Sequence, residues 1–284
     1  MKRVLLIGGS GRLGTAIRQR WKNCEIAAPP RGDLDLTDGR RLRAAIEGFR
    51  PDVLVNAAAF HDVDRCEEDP ERALAVNAAA VGAAARQARD CGAVFITIST
   101  DYVFDGQTGA PYGEDSFPHP ISVYGVSKLA GEQLVEALHM RAFVVRTCGL
   151  YGEAGGGRER TSLIDRALSA RPGEPPLAVV SDVVASPTFA GHLADALAGL
   201  IETDSYGLYH AVNAGPVSWY EFVREAVAQA GGGAAVEPIS SGERKTAAAR
   251  PRYSALRNAK LDRLGIVMPT WRAGISAYLG GTVR

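Results

Sequence analysis

The sequence predicts an α/β fold built on a doubly wound parallel sheet, with a smaller C-terminal lobe. Two observations lead to this prediction. Short apolar runs alternate with longer segments of helical period through the first half of the chain. The runs are apolar at successive positions, as in strands that are covered on both faces. A sheet covered in this way is parallel, because each return to the same edge passes through a helix.

These runs and segments give the predicted elements of the first half. Strands are expected at residues 4–8, 25–28, 52–58, 94–99 and 142–147. Helices are expected at about 13–21, directly after residues 34–38, at about 70–91 and at 124–138. Thr37 or Asp38 is of the residue type that caps the second of these helices.

Beyond residue 150 the alternation loosens. A glycine-rich, charged loop is expected at 152–160, turns with short strands at 172–188, helices near 189–202 and 218–230, and a long surface connection with little regular structure at 230–254. We therefore divide the chain into residues 1–150 and residues 151–284, and expect parts of the second segment to return to the first domain.

The composition is that of an ordinary folded protein, with 46% hydrophobic and 23% charged residues among 284. Lys plus Arg and Asp plus Glu both number 32, so no broad basic field indicates a nucleic-acid or membrane partner. The four cysteines are scattered without a C-x-x-C pair, which favours free thiols. The apolar run at the N-terminus is too short for a signal peptide, so a cytoplasmic location is expected.

A glycine-rich turn follows the first predicted strand. Gly8, Gly11 and Gly14 form G-x-x-G-x-x-G between that strand and the first helix. Glycine lets backbone N–H groups approach a pyrophosphate, and the helix N-terminus adds a partial positive charge. The turn therefore predicts a dinucleotide-binding Rossmann domain over residues 1–150.

The end of the second strand bears on the choice between NADP(H) and NAD(H). An acidic residue there would bind the ribose hydroxyls and repel a 2′-phosphate. This chain has Ala-Pro-Pro-Arg instead, ending in Arg31, and no acid precedes Asp33. Arg31 offers phosphate a planar fork, and Arg12 in the glycine turn reaches the same region. NADP(H) is predicted; if both arginines are only solvated, NAD(H) is the alternative.

Tyr124 and Lys128 form Y-x-x-x-K, which places both side chains on one face of a helix, one turn apart. A nearby ammonium lowers the pKa of a phenol and makes it usable in proton transfer. Thr100 ends a predicted strand and is expected to hydrogen-bond a substrate oxygen. Together these groups would polarise a carbonyl while hydride arrives from a nicotinamide.

A set of segments spread over nearly the whole chain completes this pattern: GGSGRLG at 8–14, LDLTD at 34–38, PDVLVNAAAF at 51–60, VN at 76–77, STDYVFDG at 99–106, YGVSKLAGE at 124–132, SPT at 186–188, GLYH at 207–210 and RPRYSALRNAKL at 250–261. In these segments the sequence resembles the extended short-chain dehydrogenase/reductase family and, within it, the dTDP-4-dehydrorhamnose reductases. STDYVFDG is the segment most specific to that subfamily.

The resemblance implies that NADPH reduces the 4-keto group of a nucleotide-linked deoxysugar. It implies a catalytic triad of Thr100, Tyr124 and Lys128, with Tyr124 the proton donor. With the glycine turn, it gives the expected cofactor-binding residues Gly8, Gly11, Arg12, Leu13, Gly14, Arg31, Asp35, Leu36, Ala57, Ala58, Phe60, Asn77, Tyr124 and Lys128. The expected substrate residues are Thr100, Tyr102, Tyr124, Gly149 and His61. Segments around 150–190 and 205–260 would form the sugar-nucleotide lobe.

Two positions depart from the family pattern. The family commonly has Arg-Thr-Ser-Trp after the strand that follows the catalytic helix, with the Trp against the sugar, whereas this chain has Gly149 at the Trp position. The family's Tyr-Thr after the Asn-Ala-Ala-Ala run is Phe60-His61 here. The sugar is therefore expected to be dTDP-4-dehydrorhamnose or a related dTDP-4-keto-6-deoxyhexose.

Polar clusters elsewhere give weaker indications. His61, Asp62, Asp64, Cys66 and Glu67 lack a recognisable metal-ligand spacing, and the metal reported at a subunit contact in some family members has no matching ligands, so no metal is predicted. Arg250 and Arg252 would clamp a diphosphate or a base, or else belong to a charged surface loop.

Two other functions stay open. One is a sugar-nucleotide epimerase or dehydratase of the same superfamily, although Asp101-Tyr102 after Thr100 lacks the Asp-Glu pair of dehydratases. The other is a non-catalytic NADP-binding regulatory subunit, because the regulatory subunit of methionine adenosyltransferase resembles the same subfamily. A homodimer is the partner state expected.

Overall fold

The structure is a computed structural model that describes residues 1–153, 162–170 and 174–282. Most of the glycine-rich loop predicted at 152–160 lies outside the described residues. No helix in the described ranges is long and apolar enough to cross a membrane.

The described residues form ten strands and eleven α-helices. The strands are β1 Lys2–Ile7, β2 Cys24–Ala27, β3 Val53–Asn56, β4 Val94–Thr100, β5 Ala142–Thr147, β6 Leu177–Val180, β7 Val184–Ala185, β8 Gly207–His210, β9 Val217–Ser218 and β10 Val236–Ile239. The helices are α1 Arg12–Arg20, α2 Gly39–Phe49, α3 Val63–Glu68, α4 Pro70–Leu74, α5 Ala80–Asp90, α6 Val123–Leu138, α7 Leu163–Ser169, α8 Ala190–Leu200, α9 Trp219–Ala230, α10 Ala259–Arg263 and α11 Trp271–Thr282.

Six parallel strands form the central sheet in the order β2-β1-β3-β4-β5-β8. Successive side chains of β1 face opposite sides. Val4 and Leu6 belong to a core shared with α1 and α8, whereas Leu5 and Ile7 belong to a core shared with α2, α5 and α6. The sheet is thus covered by helices on both faces, which confirms the predicted doubly wound α/β fold.

The sixth strand, β8, comes from the second half of the chain and pairs with β5 from Phe143↔Gly207 to Arg146↔His210. The helix α8 also lies against the sheet, because Leu193 and Leu197 are buried in the same core as α1. The central sheet and its core are therefore completed by residues beyond 150.

A second cluster of buried apolar residues lies apart from the sheet and is built from α7, α9 and α11, with Ile164, Phe222 and Ile275 at its centre. Beside it β6 pairs in parallel with β10, and β7 pairs antiparallel with β9. The prediction of little regular structure at 230–254 is wrong for Val236–Ile239, because this segment forms the edge partner of β6.

The helix predicted at about 70–91 is interrupted by a π-helical turn at Ala75–Ala79 between α4 and α5. This turn packs closely on α6, where a Cβ added to Gly131 would lie 2.2 Å from the Asn77 carbonyl oxygen. Gly131 therefore permits the two backbones to touch, and the widened turn places Asn77 against α6.

Candidate active site

The glycine turn joins β1 to α1 in a conformation that only glycine fits at two positions. Gly8 has a φ of +84°, in the left-handed region. A Cβ at Gly14 would lie 2.3 Å from the Gly8 carbonyl oxygen, so α1 starts directly against the end of β1. Leu13 is buried and anchors α1 on the sheet. The helix α1 begins at Arg12 after the Gly11 cap, so the N-terminal end of the helix lies at this turn. A helix N-terminus presents backbone N–H groups and a partial positive charge, the features that favour an anion.

The end of β3 packs against this turn. A Cβ at Gly8 would lie 2.8 Å from the backbone atoms of Ala57 and Ala58. Beyond them, the amide of Asn77 brackets Phe60, since its Oδ1 accepts from the Phe60 N–H at 2.9 Å and its Nδ2 donates to the Phe60 carbonyl at 2.9 Å. The same Nδ2 is 3.0 Å from the Ser127 hydroxyl of α6. The structure thus brings these predicted cofactor residues together along one sheet edge.

Arg31 and Asp35 follow β2 and form an ion pair, with the Arg31 Nε 2.9 Å from the Asp35 Oδ2. Although partial burial acts to raise it, hydrogen bonds from Thr37 and Arg31 hold the pKa of Asp35 below its usual value. The Arg31 side chain is 66% exposed, so its guanidinium faces solvent beyond this carboxylate. Leu36 is buried beneath the segment. The prediction that Arg12 reaches the same region as Arg31 is wrong, because its guanidinium lies 3.8 Å from the Asp165 carboxylate of α7.

The predicted catalytic residues meet at the carboxyl end of β4. Thr100 ends that strand, and Tyr124 and Lys128 lie in the first two turns of α6. Ser122 caps α6 by accepting a hydrogen bond from the Gly125 N–H at 3.2 Å, which fixes where the helix starts. The position of Tyr124 therefore depends on a local capping signal as well as on packing.

Burial dominates the electrostatics of Tyr124 and Lys128. The pKa of the Tyr124 phenol is raised, whereas the neighbouring Lys128 was predicted to lower it, because burial outweighs the opposing hydrogen bond with Thr100. Burial lowers the pKa of Lys128 to about 8, and the nearby Glu132 carboxylate opposes this shift. The Lys128 ammonium donates to the Ile98 carbonyl oxygen at 2.6 Å. Lys128 is thus held against β4 by a backbone acceptor, one helical turn from Tyr124.

Tyr102 packs edge-on against Tyr124, with ring centroids 5.7 Å apart. Burial raises the pKa of the Tyr102 phenol. The Arg250 guanidinium lies beside this phenol and forms an ion pair with Asp64, with Nη2 and Oδ2 2.8 Å apart. Arg250 therefore ties Tyr102 to α3, while Arg252 is exposed and makes no such contact in the described residues.

Asp101 is a residue of this site that the sequence interpretation missed. Its buried carboxylate accepts hydrogen bonds from the Ser254 hydroxyl at 2.5 Å, the Cys148 thiol at 3.1 Å and the Thr100 hydroxyl at 3.1 Å. Burial raises the pKa of Asp101, and the three hydrogen bonds oppose that change. The only signal in the sequence was its place beside Thr100, because its other partners are distant along the chain.

The acidic cluster around α3 is used in structural contacts. Asp62 caps α3, the Glu67 carboxylate accepts from the Val123 N–H at 2.8 Å, and the Cys66 thiol donates to the Phe60 carbonyl at 3.4 Å. Among residues 1–153, 162–170 and 174–282, no group of three or more His, Cys, Asp or Glu side chains is arranged to hold a metal ion.

A cavity of about 490 Å³ lies above the ends of the strands and below α7 and α9. Three residues predicted to bind cofactor or substrate, Arg12, His61 and Gly149, line it. Trp219 and Phe222 of α9 line it as well. The sequence did not predict that these two aromatic residues line a site. The helical period of apolar residues predicts which side chains are buried, but not which cavity they face.

Comparisons with known proteins agree with this fold over nearly the whole chain. The family model of the RmlD substrate binding domain matches residues 1–283. The chain belongs to this family. The match covers both the central sheet and the second lobe.

Two curated relatives match this chain over nearly its whole length. It is 38% identical to a dTDP-4-dehydrorhamnose reductase of Streptomyces griseus over 285 residues, covering 96% of this chain and 92% of the relative. It is 32% identical to that of Escherichia coli strain K12 over 300 residues, covering 97% and 96%.

A solved structure has the same fold. The crystal structure of dTDP-4-dehydrorhamnose reductase from Bacillus anthracis in complex with NADP superimposes with a TM-score of 0.93 at 33% identity, covering 99% of each chain. The recognition made from the sequence motifs is thereby confirmed.

Proposed function

We propose that the protein is an NADPH-dependent reductase of the 4-keto group of a dTDP-linked 6-deoxyhexose, with dTDP-4-dehydrorhamnose as the first candidate. The observation that carries the proposal is the meeting of Thr100, Tyr124 and Lys128 at the end of β4, beside the glycine turn. Relatives named dTDP-4-dehydrorhamnose reductase match nearly the full chain, and these matches support the substrate class.

The residues around the glycine turn fit a dinucleotide. Gly8 and Gly14 let the β1–α1 turn pack so closely on itself and on the end of β3 that a Cβ at either position would meet backbone atoms, and the start of α1 presents backbone N–H groups there. Arg31 is the residue proposed to meet the 2′-phosphate, and Arg12 the pyrophosphate region. Asp35 and Leu36 would lie by the adenine, and Ala57, Ala58 and Phe60 along the ribose and nicotinamide. NADPH, when bound, supplies a hydride.

The proton chemistry is assigned to this chain's own residues. Tyr124 donates its phenolic proton to the carbonyl oxygen as hydride adds to the carbonyl carbon, and solvent later returns a proton to the phenolate. The Lys128 ammonium stabilises that phenolate through its positive charge, which counters the effect of burial. Thr100 donates a hydrogen bond to the same oxygen and so orients the substrate.

The second half of the chain is proposed to bind the sugar nucleotide. Residues 151–284 contribute α7 and α9 to the roof of the cavity, while β8 and α8 return to the central sheet. Tyr102, His61 and Gly149 are the residues proposed to face the sugar. His61 and Gly149 both line the cavity, and Tyr102 lies against Tyr124.

A cytoplasmic location and a homodimer are further parts of the proposal. The four cysteines are free thiols, which suits a reducing compartment. Leu74, Val126 and Leu134 are exposed on α4 and α6, which pack against each other, and a second subunit would cover them. Sedimentation of the purified chain should give the mass of a dimer, and a monomer at all concentrations would contradict this part.

The test is NADPH consumption with dTDP-4-dehydrorhamnose, followed by absorbance, with the UDP-linked analogue as the control substrate. One NADPH oxidised for each alcohol formed is expected. An epimerase would convert substrate without net loss of NADPH. A regulatory subunit would bind NADP(H) but oxidise none, and either result would overturn the proposal.

A further inference from the structure

Trp219 and Gly149 occupy one wall of the cavity together. A Cβ built on Gly149 would lie 2.5 Å from the Cη2 atom of the Trp219 indole, which is closer than any real side chain approaches. Gly149 also has a φ of +51°, where residues with side chains are strained. The absence of a side chain at position 149 therefore leaves room that the indole of Trp219 fills.

The indole is held in place by its surroundings. Trp219 is the first residue of α9, directly after Ser218, whose side chain caps the helix in a capping box with Glu221. The backbone N–H of Trp219 donates to the Val183 carbonyl oxygen at 3.2 Å. Its ring packs edge-on against Phe222, with centroids 6.0 Å apart. The half-buried ring thus has a defined position on the cavity wall.

This wall lies close to the reacting groups. Gly149 follows Cys148, whose thiol contacts the Asp101 carboxylate, and that carboxylate also accepts from Thr100. Trp219 belongs to α9 in the second lobe, whereas the glycine turn belongs to the central sheet. A sugar ring that packs on the indole would therefore lie on the side of the cavity formed by the second lobe, across from the glycine turn.

We infer that Trp219 supplies the aromatic face against which the hexose of the nucleotide sugar packs, and that Gly149 is small in order to admit the indole. This inference rests on the proposed function. A 6-deoxyhexose presents C–H groups and a methyl group, which gain free energy by contact with an aromatic face. Trp219 is thus a residue that determines specificity for the deoxysugar.

Kinetics of Trp219 variants test the inference. In Trp219→Ala, the KM for dTDP-4-dehydrorhamnose should rise roughly tenfold, because the apolar contact with the sugar is lost. Trp219→Phe should show a smaller rise. The Kd for NADPH should change less than about twofold in both. A KM unchanged in Trp219→Ala, or an equal loss of NADPH affinity, would overturn the inference.

Gly149→Ala supplies the second arm. Its methyl group must displace the indole, so the KM for the sugar nucleotide should rise in this variant. In the double variant with Trp219→Ala the clash is absent, and adding Gly149→Ala should cost much less than it does alone. Strictly additive effects would mean that the two positions do not share a role, and would count against the inference.

Fluorescence gives a readout that does not depend on turnover. The chain has three tryptophans, and Trp21 and Trp271 are buried. Adding dTDP-rhamnose to the NADP⁺-saturated protein should change the emission, whereas dTDP alone should change it much less. The sugar-dependent change should vanish in Trp219→Phe and survive in the control Trp21→Phe.

The two hypotheses fail differently. If the wild-type protein oxidises no NADPH with any 4-keto sugar but shows the sugar-dependent emission change, the proposed reaction fails while Trp219 keeps its role. If NADPH is oxidised and the change persists in Trp219→Phe, the inference about Trp219 fails alone.

Discussion

The Glu132 carboxylate and the Arg146 guanidinium form a buried ion pair behind the proposed catalytic residues, with Oε2 and Nη2 2.6 Å apart. Both side chains are almost fully buried, at 8% and 3% exposure. The Ser99 hydroxyl donates to the same carboxylate. Glu132 lies four residues after Lys128 in α6, and its contacts with Ser99 and Arg146 connect α6 to β4 and β5.

Glu132→Gln should lower the free energy of unfolding by about 3 kcal/mol, because it leaves the Arg146 charge buried without a counter-ion. Urea denaturation followed by circular dichroism measures the change. The control Glu136→Gln lies one turn farther along α6 on the exposed side and should cost less than about 0.5 kcal/mol. Similar losses in both variants would contradict the role of the ion pair.

The rate of reduction should fall as the pH rises above about 8, since burial lowers the pKa of Lys128 to about 8 and only the ammonium stabilises the phenolate. The profile of kcat/KM against pH measures this decrease. In Lys128→Arg the residual activity should not decrease in this way, because a guanidinium stays protonated. If the decrease above about pH 8 persists unchanged in Lys128→Arg, a group other than Lys128 causes it.

The same lowered pKa has a consequence for stability. The folded protein favours the neutral amine of Lys128, whereas the unfolded chain keeps its proton up to about pH 10.5. The unfolded state therefore binds more protons between about pH 8 and pH 10.5, and the contribution of Lys128 to stability rises with pH over that window. Urea denaturation of Lys128→Met should lack this rise relative to the wild type.

Tyr124→Phe should reduce kcat by at least about a hundredfold while the Kd for NADPH stays near the wild-type value, because the variant loses only the proton donor. Stopped-flow absorbance and a fluorescence titration with NADPH measure the two quantities. Tyr206→Phe removes a surface hydroxyl that donates to Asp204 and serves as the matched control. Near-full activity in Tyr124→Phe would exclude it as the donor.

Arg31→Ala should weaken NADPH binding about tenfold or more and leave NADH binding nearly unchanged, since only NADPH carries the 2′-phosphate. Isothermal titration with both cofactors gives the ratio. Arg86→Ala, on the exposed side of α5, is the control for a general loss of positive charge. Equal losses for the two cofactors would remove Arg31 from the phosphate site.

Gly14→Ala should destabilise the fold and abolish cofactor binding, because its Cβ would lie 2.3 Å from the Gly8 carbonyl oxygen and 2.6 Å from the Gly9 Cα. Gly48→Ala is a matched control in α2, where a Cβ meets nothing within 4 Å. This control should gain up to about 1 kcal/mol from helix propensity. The melting temperatures of both variants, measured with and without NADPH, test the two effects. Gly14→Ala should melt at a lower temperature than the wild type and show no rise with NADPH; a normal rise with NADPH would contradict the prediction.

The sequence by itself determined the alternation of strands and helices, the glycine turn and the spacing of Tyr124 and Lys128. These features are local. Two-sided burial of a strand, a turn that excludes side chains and a pair one helical turn apart each leave a signature within a few residues. The predicted parallel sheet and the family recognition depend on such signatures, and both are confirmed.

Only the tertiary structure decided which distant side chains meet. Asp101 bonds Ser254, the indole of Trp219 fills the space at Gly149, and β8 joins β5 as the sixth strand. Each contact joins segments about sixty or more residues apart and follows from how the lobes pack, not from any periodicity. A short segment such as β10 forms a strand because it pairs with β6, and its own residues do not predict this.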